Sequence, residues 1–296
     1  MPSVNQDRFS VRLLRAFSRP PFHDEEGRKG AFERISKAQP HLVRQLTFAI
    51  PGWPAWRRPL RIAFLSDFHT GSHAGDVARL AAIVAEAKRF APDVTLFGGD
   101  YVNMQPLGGG RVPPRRIAAI LSRLDAPCGR FAVLGNHDFY YDGQAVADAL
   151  REHGITVLDD ESASFVHENG TVHVVGIPDA HVTRASARAL VAALPDRPTV
   201  VLAHDPVWFA HLAVGPHLML AGHTHGGQIR LPGIGVITNA SKAPLRWSHG
   251  VVVENERRLY VTSGLGTSTL PLRIGVPPEY AIIDIAGELP SGIDAE

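Results

Sequence analysis

The sequence predicts an α/β protein, an α+β sandwich in which two stacked mixed β-sheets are flanked by helices. Two observations lead to this prediction. In the first half of the chain, short apolar runs alternate with segments whose apolar residues recur every three or four positions, as strands and helices do. In the second half, the predicted strands follow one another too closely for helical crossovers throughout, so mixed sheets are expected.

The first half supplies three strands and three helices. The run at 61–66 is apolar up to Ser66 and is followed by Asp67, which is typical of a buried strand. Residues 103–115 contain Gly-Gly-Gly and Pro-Pro and are expected to form a loop. The same patterns predict strands at 94–97 and 131–134 and helices at 76–90, 116–124 and 143–153.

The second half is richer in strands. Only residues 185–194 show the periodicity of a helix. Turn residues separate the short apolar runs, which predict strands at 157–158, 164–166, 172–176, 199–203, 218–221, 250–253, 258–262 and 280–285.

Composition limits the classes of function. The chain has 296 residues and 45% hydrophobic content, and we expect one domain over 56–290 after an N-terminal extension at 1–55. Charge is nearly balanced, with 30 Lys and Arg against 29 Asp and Glu, which argues against binding of extended nucleic acid. The single cysteine, Cys128, excludes both an intramolecular disulfide and a cysteine zinc cluster.

The N-terminal residues bear on localisation. They show no recognisable secretory signal, and no segment approaches the ~20 apolar residues that span a bilayer, so we expect a cytoplasmic protein. Residues 8–17 mix arginines with Phe, Val and Leu at roughly helical spacing. This segment is either a surface helix packed on the domain or a basic interfacial helix that contacts the inner membrane peripherally.

Residues that bind metals are concentrated in four short motifs in a fixed order. The first residue of each motif directly follows a predicted strand. In an α/β sheet the ligand crevice lies outside the carboxyl ends of the strands. Five strand ends therefore converge on one expected site. The motifs are Asp67-Phe68-His69, Gly98-Gly99-Asp100, Gly135-Asn136-His137-Asp138 and Gly222-His223-Thr224-His225, with His204 standing alone between the last two.

Each motif has a simpler interpretation when it is taken alone. Asp-x-His is usually a polar turn, and Gly-Gly-Asp is usually a tight turn. As a set in this order, the motifs offer carboxylate, imidazole and amide ligands for two divalent metals side by side, an arrangement that suits phosphate ester hydrolysis.

At this point the sequence resembles the calcineurin-like metallophosphoesterases over about residues 61–285. The resemblance implies that Asp67, His69, Asp100 and His225 bind one metal, and that Asp100, Asn136, His204 and His223 bind a second. Mixed imidazole and oxygen ligands favour two divalent ions, Mn²⁺ first, with Fe or Zn²⁺ as alternatives.

Two residues are expected to act on the reaction without binding metal. The resemblance makes His137 the residue that stabilises or protonates the leaving oxygen, a role that suits a group titrating near pH ~6.5. Asp138 is expected either to orient His137 by accepting its other N–H or to cap the helix that follows.

Motifs in the C-terminal part of the chain indicate a smaller class of expected substrates. Residues 222–232, 263–268 and 271–273 resemble a branch that contains bacterial phosphodiesterases and enzymes that cleave UDP-2,3-diacylglucosamine to lipid X and UMP in lipid A synthesis. The expected partner is therefore a small phosphoester or a lipid-linked nucleotide. Five arginines are candidates for contact with a nucleotide or second phosphate, although a solvated basic loop is the simpler interpretation of any one of them: Arg111, Arg115, Arg116, Arg246 and Arg273.

Other functions are compatible with the same metal motifs. A general phosphodiesterase on nucleotides or envelope polymers, a cyclic-nucleotide phosphodiesterase or nuclease, and a small-molecule phosphomonoesterase would all need the same metals. A non-catalytic metal-dependent scaffold would be expected to have lost His137 or a ligand, and the sequence retains all of them.

Overall fold

Two six-stranded sheets form the centre of the molecule in a computed structural model, which describes residues 38–105, 110–179 and 185–287. The first sheet has the order β1-β14-β2-β3-β4-β5, and all its neighbours are parallel except β14 and β2. Its strands are β1 (Leu42–Ala49), β2 (Leu60–Leu65), β3 (Val94–Phe97), β4 (Arg130–Ala132), β5 (Thr156–Val157) and β14 (Glu279–Ala286).

The second sheet has the order β12-β13-β9-β8-β7-β6, with antiparallel pairs at its two edges and parallel pairs between them. A separate two-stranded hairpin, β10 (Arg230–Leu231) with β11 (Gly235–Val236), follows the last predicted metal motif. The strands of the second sheet are β6 (Glu161–His167), β7 (Gly170–Ile177), β8 (Thr199–Ala203), β9 (His217–Ala221), β12 (Gly250–Glu254) and β13 (Arg257–Val261).

Strand β2 shows how the layers are built. Its side chains alternate, so Ile62 and Phe64 pack between the two sheets while Ala63 and Leu65 pack against helices. A third apolar cluster covers the outer face of the second sheet. The predicted sandwich of two mixed sheets flanked by helices is confirmed, and its helices are α1 (Asp76–Lys88), α2 (Pro114–Leu121), α3 (Asn136–Glu152) and α4 (Ala185–Ala192).

Helix α3 begins seven residues earlier than the sequence pattern predicts. Its first turns contain the polar motif that follows Gly135, and a non-helical Asp142 (φ −173°, ψ 93°) separates them from the periodic part. The Asp138 carboxylate accepts the backbone N–H of Gly135, which is one half of the capping-box arrangement. Side-chain capping therefore extends the helix into a segment that has no apolar stripe.

Strand β1 was not predicted. It lies at the edge of the first sheet and pairs in parallel with β14 over eight residues. Its outward side chains are partly exposed, so the apolar alternation is too weak to indicate a strand. Because β1 belongs to the sheet, residues 42–49 are part of the domain, and the boundary expected after residue 55 is wrong for them. The segment at 8–17 lies outside the described residues.

Within the described ranges, no helix has the length and apolar character needed to cross a bilayer.

A buried carboxylate joins the two sheets close to the predicted site. Glu279 begins β14, and its Oε2 accepts from Arg44 Nε of β1 at 2.8 Å. Its Oε1 accepts from Tyr260 Oη of β13 at 2.9 Å and from the Ser263 N–H at 3.2 Å. His249 Nε2 lies 2.9 Å from the same oxygen. Burial opposes ionisation, but these donors outweigh it and lower the pKa of Glu279 to about 2.

The depressed pKa predicts a pH-dependent contribution to stability. Because the folded value is below the ordinary value of 4.5, Glu279 stabilises the fold by roughly 3 kcal/mol above pH ~5, and this is lost as pH falls from ~4.5 towards ~2. We expect Glu279→Gln to lower the free energy of unfolding at pH 7 and to flatten its fall below pH 5, as measured by urea unfolding. Equal stability of the two proteins at pH 7 would contradict this role.

Candidate metal centre

The predicted ligands converge at the carboxyl ends of five strands. Asp67, His69, Asp100 and His225 each offer a ligand atom within 4.8 Å of the others, and all four are buried. Asp100 also belongs to a second group of this kind with His204 and His223. One carboxylate is thus shared by two sets of donors, and a carboxylate has two oxygens with which to serve both.

The backbone at the site adopts a conformation that side chains rarely take. Five of the predicted ligands have positive φ angles, and residues other than glycine seldom occupy this region. Such strain persists only where surrounding contacts impose it, and it concentrates at functional sites. The values are 52° for Asp67, 38° for His69, 56° for Asp100, 66° for His223 and 51° for His225.

Backbone carbonyls fix the orientation of the two histidine rings in the second donor group. His204 Nδ1 lies 2.7 Å from the Gly98 carbonyl and His223 Nε2 lies 3.1 Å from the Ala240 carbonyl, so each of these nitrogens donates a hydrogen. The remaining nitrogens, His204 Nε2 and His223 Nδ1, lie 3.1 Å apart. Loss of the proton between them leaves two lone pairs directed at one point, so this donor set fits a metal ion.

The first group is electrostatically suited to the same task. Burial, followed by the neighbouring charges of other histidines, holds the pKa values of His69 and His225 well below the ordinary value of 6.5. Both rings are therefore neutral at physiological pH, and neutral imidazole is the form that binds metals. Their Nε2 atoms lie 3.1 Å apart, and His225 Nε2 lies 3.7 Å from Asp67 Oδ1.

The two carboxylates differ in their surroundings. Burial raises the pKa of Asp67 to about 6, and its oxygens accept the His223 N–H at 2.9 and 3.1 Å. Burial also opposes ionisation of Asp100, but the adjacent His204 and His137 hold its pKa well below the usual range. Conversely, burial lowers the pKa of His204, and the charge of Asp100 reverses the balance and raises it well above 6.5. The centre therefore attracts positive charge around Asp100.

Asn136 and His137 complete the site at the start of α3. Asn136 Oδ1 lies 3.3 Å from His204 Nε2, which places the amide oxygen beside the second donor group. The His137 backbone N–H donates to Asp100 Oδ1 at 2.9 Å. Its ring meets that of His69 edge to face, with centroids 4.6 Å apart, and its Nε2 lies 3.3 Å from Ser268 Oγ. His137 is therefore adjacent to both groups without belonging to either.

Asp138 does not accept a hydrogen from His137, which corrects the first of the two roles expected for it. Its carboxylate accepts backbone N–H groups of Gly135, Asp100 and Tyr101 at 2.8–2.9 Å, and that of Val102 at 3.3 Å. Among the residues that the structure describes, none hydrogen-bonds to His137 Nδ1. Asp138 thus caps α3 and ties the loop after β3 to the loop after β4. Burial and the charge of Asp100 raise its pKa to about 7, while these N–H donors act in the opposite direction.

Arg273 lies beneath the metal centre and does not line an open surface, so contact with a second phosphate is the wrong role for it. Its guanidinium is buried and donates to the carbonyls of Ser263 at 2.6 Å, Gly266 at 3.0 Å and Gly264 at 3.2 Å. Nη2 also lies 3.2 Å from His225 Nδ1. Burial lowers the pKa of Arg273 to about 10, so it remains charged at neutral pH.

The other candidate arginines are engaged elsewhere. Arg115 pairs with Glu152 at 2.8 Å, and Arg246 pairs with Glu254 at 2.7 Å. Arg111 donates to Met104 Sδ and lies over the Tyr141 ring. Arg116 lines a cavity of about 340 Å³ between α1 and α2.

Several contacts at the centre could not be found from the sequence. The carbonyls of Gly98 and Ala240, and those that Arg273 contacts, belong to the backbone and leave no mark on residue type. Gly222 did leave a signal, since a methyl group at this position would collide with the Asp67 carboxylate and with Ser66. Gly99 and Gly135 show the same effect, since a methyl group at these positions would collide with His204 and with the Asp100 carboxylate.

The contacts of Arg273 predict a structural effect that reaches the metal. Lysine keeps the charge but cannot donate to several separate carbonyls, so Arg273→Lys is expected to lower the stability of the metal-free protein by roughly 3 kcal/mol. It should also weaken binding of Co²⁺, followed by its visible absorption spectrum, because His225 loses its support. Exposed Arg89→Lys is the matched control. Unchanged stability and Co²⁺ affinity in the Arg273 variant would contradict this assignment.

Comparison with known proteins agrees with the geometry. The model of the calcineurin-like phosphoesterase family matches residues 60–227. The phosphodiesterase YaeI of Escherichia coli (strain K12) is 31% identical over 231 residues, which are 77% of this chain and 82% of YaeI. Two proteins of Bacillus subtilis (strain 168) are each 28% identical. The uncharacterized protein YpbG matches over 77% of this chain and 82% of its own length, and the uncharacterized metallophosphoesterase YkuE over 75% and 76%.

The matched residues include the four motifs and His204, and the buried cluster that they form suits divalent metal ions. The chain therefore belongs to the calcineurin-like phosphoesterase family, and it is a metal-dependent hydrolase of phosphoesters.

Proposed function

We propose that the chain is a phosphodiesterase that works with two metal ions. The observation that carries this proposal is the pair of donor groups that share Asp100. One ion would be held by Asp67, His69, Asp100 and His225. The second would be held by Asp100, Asn136, His204 and His223. Mn²⁺ is the proposed metal, and Fe and Zn²⁺ suit the same mixture of imidazole and oxygen ligands.

Divalent ions at such a centre supply positive charge to the phosphoryl oxygens and acidify water. The protein's own residues set where this happens. The carbonyls of Gly98 and Ala240 keep the rings of His204 and His223 turned towards the centre. Asp138 holds the backbone on either side of Asp100, so the shared carboxylate cannot move away.

His137 is the proposed donor to the leaving oxygen. Its backbone is anchored to Asp100, and its Nε2 faces the hydroxyl of Ser268. Burial lowers the pKa of the ring below 6.5, so the ring is mostly neutral at pH 7 and holds one N–H. A neutral imidazole of this kind donates a hydrogen bond to the oxygen on which negative charge develops.

The shared carboxylate predicts an asymmetric pattern of metal loss. Wild-type protein should bind two Mn²⁺ per chain, measured by calorimetric titration and by elemental analysis after dialysis. His69→Ala and His223→Ala should each lose one ion, whereas Asp100→Asn should lose both, because only Asp100 belongs to both groups. His173→Ala, at the amino-terminal end of the second sheet, is the control and should retain two. An Asp100→Asn protein that keeps one tightly bound ion would refute the bridge.

The proposed substrate is UDP-2,3-diacylglucosamine. Water would add to one phosphorus of the pyrophosphate and break the bridging P–O bond, which gives UMP and 2,3-diacylglucosamine 1-phosphate (lipid X). The motifs at 222–232 and 263–273 support this proposal through their resemblance to enzymes of lipid A synthesis. A cytoplasmic location at the inner membrane follows from the same substrate. The name of YaeI favours a second candidate, a general phosphodiesterase on nucleotides or envelope polymers.

Hydrolysis of UDP-2,3-diacylglucosamine by the Mn²⁺-loaded protein, followed by mass spectrometry, separates the two candidates. We expect release of UMP and the lipid monophosphate, and His137→Ala should lower kcat about 100-fold or more at unchanged metal content. The His173→Ala control should retain full activity. Turnover of bis(p-nitrophenyl) phosphate without release of UMP would support the second candidate. Turnover of neither substrate would contradict the proposed function.

A further inference from the structure

Two segments beside the metal centre expose large apolar side chains to solvent. One is the hairpin that contains β10 and β11, and the other is the loop that follows Ser268. Their exposed fractions lie between 41% and 70%, which is unusual for five large aliphatic side chains close together. We call this set the apolar rim, and its members are Ile234, Ile237, Leu270, Leu272 and Ile274.

Hydrogen bonds between the two segments make the rim one continuous surface. The Arg230 N–H donates to the Ile274 carbonyl at 2.8 Å, and the Ile274 N–H donates to the Gln228 carbonyl at 3.0 Å. The Gln228 side chain donates to the Leu270 carbonyl at 3.1 Å. The hairpin and the loop are therefore held edge to edge.

The same residues connect the rim to the metal centre. Gln228 Oε1 accepts the Ser268 N–H at 2.8 Å, and Ser268 Oγ lies 3.3 Å from His137 Nε2. On the other side, the Ala240 carbonyl that holds His223 comes three residues after Ile237. A surface that contacts the rim therefore faces the mouth of the site.

The chain segments that carry the rim contain basic residues and no acidic ones. Residues 226–253 and 257–278 contain no aspartate or glutamate. Arg230 and Lys242 are exposed on the first of these segments. Arg246 pairs with Glu254 and Arg273 is buried, so these two are not available at the surface. The combination of exposed aliphatic side chains with cations alone is complementary to an anionic bilayer surface.

We propose that the apolar rim docks on an anionic phospholipid bilayer. Ile234, Ile237 and Leu272 enter the boundary between headgroups and acyl chains, and Arg230 and Lys242 meet the anionic headgroups. The metal centre then opens towards the membrane surface. Docking does not require turnover, so it is tested separately from the choice of phosphoester.

Co-sedimentation of the full chain with vesicles tests this proposal. We expect binding to vesicles of phosphatidylcholine with phosphatidylglycerol and much weaker binding to phosphatidylcholine alone. Ile234→Ser with Ile237→Ser should weaken binding about tenfold or more, because two aliphatic side chains no longer leave water. Arg230→Gln with Lys242→Gln should weaken it about tenfold in the anionic vesicles only.

Matched controls separate the rim from general surface effects. Val166→Ser with Val214→Ser removes side chains that are 63% and 59% exposed at the opposite end of the second sheet. Lys88→Gln removes an exposed positive charge on α1. Both controls should bind vesicles as the wild type does, and thermal unfolding should be the same for all variants. Equal loss in rim and control variants would overturn the proposal.

A probe on the rim reports contact directly. In a Cys128→Ser background, Ile237→Cys carrying an environment-sensitive NBD dye should brighten and shift to the blue on addition of anionic vesicles, whereas Val214→Cys should not. Vesicle binding that persists in the Ile234 and Ile237 variant without a response from the dye would assign docking to another segment and refute the rim. Failure of the wild type to sediment with anionic vesicles would refute it equally.

Discussion

Two carboxylates and four imidazoles share a buried volume at the carboxyl ends of the strands, and the rest of the structure depends on this crowding. Within it, His204 Nε2 and His223 Nδ1 lie 3.1 Å apart, and Asp100 lies within reach of both donor groups. Without a cation such an arrangement is costly, because the carboxylates and ring nitrogens are crowded together and shielded from water. Metal binding relieves this cost, and the fold is organised to keep the donors in place until it happens.

Three buried ionisable side chains around the centre hold the donors in place. Asp138 accepts N–H groups from both loops that carry ligands, and Arg273 donates to the loop at 263–266 while it supports His225. Glu279 joins β14, β1 and β13 and accepts the Ser263 N–H, so it links both sheets to the same loop. The strained φ angles at five ligands are sustained by this surrounding network and not by local preference.

The sequence predicted the sandwich and the placement of the candidate ligands at strand ends, because both follow from strong local rules. Apolar strands such as β3 and β8 end where polar ligands begin, and Asp100 and His204 follow them at the expected edge. The same reasoning missed β1, whose edge position leaves half its side chains exposed. It placed the start of α3 too late, because the first turns depend on the Asp138 cap and not on an apolar stripe. It misread Arg273, whose partners are backbone carbonyls that no residue pattern reveals.

The central claim is that Asp100 bridges two metal ions, and anomalous diffraction tests it most directly. Crystals grown with Mn²⁺ and measured at the manganese absorption edge should show two peaks on either side of the Asp100 carboxylate. One peak should lie among Asp67, His69 and His225, and the other among Asn136, His204 and His223. A single peak, or two peaks of which one does not contact Asp100, would contradict the account.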